Sequence, residues 1–485
     1  HGPLYYFNSK FTRVNAPSAN ETNKPEAWKS CSLVYEFNRT IESGDAISNG
    51  TAKKWLKEHR PRHAICPRKT DYCEMCAECR QQESRHLTIA MRLRQEGDGD
   101  EDEIRENEAL AESYKILLNE HRLDASNELQ HYKTMTKDCR AKYLQIPKRP
   151  EDELANAPEE SVLNKLCDQV VFTLSIDYQQ SKLIPHWGRT AQPSETYYMR
   201  KLSHNVFGIV DHTLERDAIY ITDERIGGAK NANMTISHIH QYIQRTIPAW
   251  ANHLCLFMDN GRTNKNQSLI HWAMELVCQS VFRSIRICFF VPGHGKNDVD
   301  RLFSRISHAF NKEDVFDTKE LKELVHSTIS PMGHCFLSTN KEIISWRDLL
   351  ELKYAPFPGI NSYRDFLIVR KASGAVTVNF KECCYTGEYR QINLVKDGKR
   401  GENLIVESSK HTYRAKDMSF DINEKKLADL VRMYDKFVDP RHRPDWLPNS
   451  VASDCVPDFA KSNKPSADLA REHRIQRKKR RRKTG

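Results

Sequence analysis

Leu254–Gln267 reads LCLFMDNGRTNKNQ: five apolar residues run straight into Asp259, Asn260 and Gly261, and six polar residues follow. A short apolar run closed by Asp-Asn-Gly predicts a buried strand ending in a turn. Taken singly, Asp259 at such a place is a turn carboxylate. Its meaning depends on what the neighbouring elements bring beside it.

Working outward, NQSLIHWAMELVCQSVF (266–282) has helical spacing, SIRICFFV (284–291) is strand-like, and DVDRLFSRISHAF (298–310) is again helical. Upstream, QVVFTLSIDYQQ (169–180), YYMRKLSHNVFGIVDHT (197–213) and DAIYITDE (217–224) are rich in β-branched and aromatic residues, and TISHIHQYIQRTIPAW (235–250) is a helix. Three strands followed by alternating helix and strand predict an α/β fold, a mixed five-stranded sheet with helices on its faces.

That order gives three carboxylates a common destination. Asp177 closes the apolar run of the first strand, Asp259 ends the fourth, and Asp300 opens the last helix, with Asp298 two residues before it. If the first and fourth strands are neighbours, Asp177 and Asp259 stand side by side, and a helix starting beyond the fifth strand can deliver Asp300. Converging carboxylates repel unless cations bind between them, and the hard ions that prefer carboxylate oxygen are Mg²⁺ and Mn²⁺. Two such ions suit phosphoryl transfer, with Asp177 as the bridging ligand.

The motifs SID in the first strand, MDNG after the fourth and PGHGKNDVDRLFSRI on the last helix resemble the ribonuclease H-like core of the DDE/DDD transposases and retroviral integrases. In that resemblance Val299-Asp300 stands where the family has Val-Glu, which ranks Asp300 above Asp298 and shortens the third ligand by a methylene. The strings DNGRTNKNQ and PGHGKNDVDRLFS also look like a eukaryotic family of transposon-derived proteins that pair a Cys-bearing segment and a helical region with this core. The resemblance covers roughly 168–310. It implies two-metal cleavage or strand transfer on DNA; the alternative is a domesticated DNA- or chromatin-binding protein without activity. Lys265 and Asn266 could touch a phosphate, against a plain capped helix start with Asn264 as the cap. His294 is read either as a proton shuttle or as a loop residue packing on the strand end.

Outside the core, HAICPRKTDYCEMCAEC (63–79) clusters Cys66, Cys73, Cys76 and Cys79. A two-residue gap lets two thiolates face one tetrahedral Zn²⁺, so Cys73 and Cys76 are the first expected ligands, with Cys66 and then Cys79 or His63 completing the set. The alternative is a group of free thiols. Helical periodicity on both sides of EGDGDEDE predicts a two-helix arm, a surface for homo-oligomer contact or a spacer packed on the next domain. DFLIVRKASGAVTVNF (365–380) carries a hairpin signal and suggests a small β-rich domain. The expected organisation is a leader with short helices (1–60), a Cys-rich segment (61–80), the arm (81–150), the ribonuclease H-like core (165–325), a small β-rich domain (345–410), and a helix with a basic tail (411–485).

The chain has a formal net charge of +10, and seven consecutive cations run from Arg477 to Lys483. Such a block attracts polyanions or serves as a nuclear import signal, so DNA as partner and a nuclear location are expected. Fourteen scattered cysteines fit a reducing compartment. No apolar run is long enough to cross a bilayer, so no membrane partner is expected.

Overall fold

A computed structural model describes residues 73–96, 100–146, 165–227, 229–329, 331–339, 342–396 and 422–449. The leader, Cys66, His63 and the basic tail lie outside these. Two compact units divide the chain, 1–118 and 119–485, and the division falls inside one unbroken helix.

In the first unit, α1 (Glu74–Glu96) and the opening half of α2 (Glu101–Leu144) form an antiparallel hairpin. Arg94 pairs with Glu108 at 2.7 Å, His86 Nδ1 meets Asn107 Oδ1 at 2.9 Å, and His86 stacks on Tyr114. Cys73, Cys76 and Cys79 are buried against Leu118. Apolar residues three and four apart supply this stripe, while Met91 and Ile116 stay exposed on the outside.

The second unit is built on one mixed sheet of nine strands. Chain order gives β1 (Val171–Ile184), β2 (Leu202–Asp211), β3 (Arg216–Asp223), helix α3 (Ala232–Thr246), β4 (His253–Met258), α4 (Gln267–Cys278), β5 (Ser284–Phe289) and α5 (Asp298–Phe310). There follow α6 (Thr318–Thr328), β6 (His334–Leu337), α7 (Trp346–Glu351), β7 (Asp365–Arg370), β8 (Val376–Lys381), β9 (Arg390–Ile392) and α8 (Glu424–Phe437). The spatial order is β6-β3-β2-β1-β4-β5-β7-β8-β9, mostly antiparallel, with β1/β4, β4/β5 and β3/β6 parallel.

The five expected strands are therefore five of nine. The hairpin expected to form a small domain of its own pairs through β7 with β5 and extends the same sheet. β6 joins the other edge. Local patterning identifies a strand but not its partner, and both additions are pairings between segments far apart in sequence.

Strand alternation decides what each face of the sheet carries. Phe172, Leu174 and Ile176 of β1 point into the main core with Leu254, Leu256 and Met258 of β4, under α3, α4 and α7. Ser175, Asp177 and Gln179 point the other way, and there Gln179 Nε2 donates to the Phe303 carbonyl of α5 at 2.7 Å. α5 and α6 cover that face over β2 and β3, through Val299, Leu302, Phe303, Ile306 and Leu321. The closing half of α2 covers it over β4 and β5, where Tyr132 packs against Phe257 and Phe290.

Gly208 sets how closely α5 approaches. It lies opposite Asp177 in the β1/β2 ladder, and a Cβ there would stand 2.7 Å from the Phe303 ring and 2.9 Å from Val299. Close packing has no slack for such an insertion. Gly208→Ala is expected to cost about 1–3 kcal/mol in denaturant unfolding. Adding Phe303→Leu should recover part of that loss. Equal stability of wild type and G208A would show that α5 does not rest on this strand.

Candidate metal-binding sites

Asp177 leaves β1 on the α5 face, and β1 pairs in parallel with β4 through Ile176↔Met258, one residue before Asp259. The first and fourth strands are thus neighbours, and the two carboxylates lie close enough to share one donor. Asn264 Nδ2 reaches Asp177 Oδ1 at 3.4 Å and hydrogen-bonds Asp259 Oδ1 closely. Gly261 leaves room over Asp259, since a Cβ at 261 would sit 3.0 Å from its Oδ2.

Burial and then the Asp259 charge push the Asp177 carboxyl up to about 7, with Asp300 adding to the shift and the Tyr178 N–H, donating at 2.7 Å, opposing it. Asp300 is thus within electrostatic reach of Asp177. One of its oxygens accepts the Asn297 N–H at 2.8 Å, as half of the capping box that starts α5.

Asp298 is committed elsewhere. It accepts from Tyr132 Oη at 2.6 Å, pairs with Arg301, and lies 3.6 Å from His212 Nδ1. His212 Nε2 meets Ser175 Oγ at 2.7 Å, and Tyr132 Oη meets both at 3.0 Å. This serine, histidine and aspartate line up like a hydrolytic triad, but Ser175 is wholly buried and Tyr132 sits over it, so no substrate carbonyl reaches its hydroxyl. Burial holds His212 neutral, at about 4. The network ties α2 to the start of α5 and to β1. Glu128 adds a second tie, accepting the Val291 N–H at 2.8 Å and pairing with Arg364 at 2.7 Å.

The polar run after Asp259 folds back on the protein. Lys265 Nζ donates to the Asn361 carbonyl at 3.0 Å over the Phe289 ring, and burial pulls its ammonium down to about 8. Asn266 caps α4, accepting the Leu269 N–H at 3.0 Å. The cap is Asn266 rather than Asn264, because Asn264 is held two residues earlier in the turn by its N–H to the Gly261 carbonyl. One cation escaped the sequence reading. Lys230 Nζ donates to the Gln179 carbonyl at 2.6 Å and lies over the Tyr178 ring, where it feels both Asp177 and Asp259. Only the Gly-rich character of its loop marks it in the sequence.

Of the four expected thiolates Cys66 lies outside the described residues, and Cys73, Cys76 and Cys79 lie along the first turns of α1. Cys73 begins α1, and its Sγ accepts the Cys76 N–H at 3.5 Å. His121 meets the His294 ring edge-on at 4.9 Å. Cys73 and Cys76 stand together at the start of α1, a thiol pair of the kind that could hold a metal ion such as zinc. Cys79, a further turn along α1, packs beside Leu118. Asp177, Asp259 and Asp300 do not bring their carboxylate oxygens within 4.8 Å of one another as a set of three. Metal analysis of protein purified without added zinc should find about one equivalent, lost with Cys73→Ser or Cys76→Ser. Less than one equivalent, unchanged by Cys73→Ser, would remove the zinc site.

Among the described residues no helix is long and apolar enough to cross a membrane. No curated protein and no solved structure matches the chain. Residues 194–386 match a family described as a domain of unknown function (DUF7869), a stretch that holds Lys230, Asp259, Asn264 and Asp300 and leaves Asp177 and the Cys-rich segment outside it.

Proposed function

We propose that the chain is a transposase-derived enzyme that cleaves or joins phosphodiesters of DNA, using two Mg²⁺ or Mn²⁺ ions at Asp177, Asp259 and Asp300. The observation that carries this reading is the single Asn264 amide shared by Asp177 and Asp259. Two carboxylates brought to one donor from adjacent strands form a hard-oxygen site that a divalent cation would complete.

Such ions, when bound, activate a water or 3′-hydroxyl and stabilise the leaving oxygen. Asp177, between Asp259 and Asp300, is the bridging ligand in this reading. Lys230 is the cation that a phosphate entering the site would meet. The basic block at 477–483 supplies sequence-independent attraction to the DNA backbone and fits a nuclear location. The ribonuclease H-like assignment is supported by β1 lying between β2 and β4 and by a helix carrying Asp300 after β5. Exposed Met91 and Ile116 give the arm a surface for contact with a second copy.

The pH dependence follows from the sign of the Asp177 shift. Its folded pKa stands above the ordinary value, so its contribution to stability is full below about 4 and is lost as pH rises through about 7. Each unit of the shift corresponds to ~1.4 kcal/mol. Asp177→Asn should therefore raise the melting temperature at pH 8 and leave it near wild type at pH 4, and Mn²⁺ should stabilise wild type but not the variant.

Activity is tested by nicking of a DNA duplex with Mg²⁺ or Mn²⁺. Wild type should nick, and Asp177→Asn and Asp259→Asn should not. Salt-dependent DNA binding without nicking would replace the enzyme with a DNA-binding protein.

A further inference from the structure

We propose that Asn264 is itself a ligand of the divalent ion held by Asp177 and Asp259, its amide turning over between the free and loaded states. This rests on the metal-dependent reading above. Asn264 is 2% exposed, and while its Nδ2 serves the two carboxylates, its Oδ1 is buried with no hydrogen-bond partner. An orphaned buried carbonyl costs about 1–3 kcal/mol. A half-turn about the last side-chain torsion exchanges Oδ1 with Nδ2 and brings the orphan to the place where the carboxylates converge.

The charge at that place decides which orientation is stable. With no cation, an amide oxygen facing two carboxylates is repelled, so the N–H is turned toward them. With a divalent cation the preference inverts, because the amide oxygen has lone pairs to offer and the amide nitrogen does not. No partner of Oδ1 has to be broken for the turn. The backbone stays fixed meanwhile: Asn264 N–H and Lys265 N–H donate to the Gly261 carbonyl at 2.9 and 2.8 Å, and Asn266 caps α4. Two carboxylates and an amide oxygen make an all-oxygen set, suited to Mg²⁺ or Mn²⁺ rather than to thiophilic ions. If Asn264 were only a spacer between repelling charges, removing it would free both carboxylates and tighten cation binding.

The two roles thus predict opposite signs. Mn²⁺ titrations of the full chain, read by the electron paramagnetic resonance of free Mn²⁺, would compare wild type, Asn264→Ala, Asn264→Cys and Asp177→Asn. Asn264→Ala should bind about tenfold more weakly than wild type, the ~1.4 kcal/mol of one lost ligand. Asn264→Cys should weaken Mn²⁺ binding and gain a Cd²⁺-thiolate absorbance that disappears when Asp177→Asn is added, since sulfur shifts the site toward soft ions. Unchanged or tighter Mn²⁺ binding by Asn264→Ala overturns the inference while the metal-dependent reading stands. Should Asn264→Ala not fold, an Asn264→Cys protein with wild-type Mn²⁺ affinity and no new Cd²⁺ absorbance overturns it equally. A wild type that binds no Mn²⁺ removes both.

Discussion

The parallel pairing of β1 with β4 is the constraint on which the rest of the site depends. It sets Asp177, midway along β1, beside Asp259 just past the end of β4, where like charges in a half-buried place repel. The fold answers with Asn264, whose amide is shared between them. The pairing costs something even so, and the cost appears in the raised Asp177 carboxyl. Main-chain hydrogen bonds and the core beneath hold the two strands together against it.

The same face shows how the third carboxylate is brought near. α5 lies directly on the sheet because residue 208 lacks a side chain, and Val299 and Phe303 fill the space above it. Asp298 and Asp300 then start the helix with opposite commitments. Asp298 is bound into the Tyr132, His212 and Ser175 network, and Asp300 is turned toward its cap and toward the electrostatic reach of Asp177. α2 provides the outer wall: Tyr132 and Glu128 fix the two ends of the segment from Val291 to Asp298. A long helix that reads in sequence as an arm is, over its closing half, part of the packing around the carboxylates.

Much of this was legible locally. The apolar run before Asp259 and the β-branched run before Asp177 form β4 and β1 near their expected places, and the helical spacings at 267–278 and 298–310 form α4 and α5. Periods of two and 3.6 residues are properties of the backbone, so short windows reveal them. The Asn264 and Asn266 assignments show where that reading stops. Both are good caps by type, and only the turn held by the Gly261 carbonyl decides that the helix begins after 266.

Local sequence settles the strand and helix order of residues 169–310, the places of Asp259 just past a strand and Asp300 at a helix start, and the paired thiols of Cys73 and Cys76. Packing between distant segments settles that β6 and β7–β9 widen the sheet to nine strands and that one asparagine stands between two aspartates. The physical reason is the range of the interactions. Periodicity and turn chemistry act over a few residues, whereas sheet partners and shared donors are chosen by packing between segments far apart in the chain.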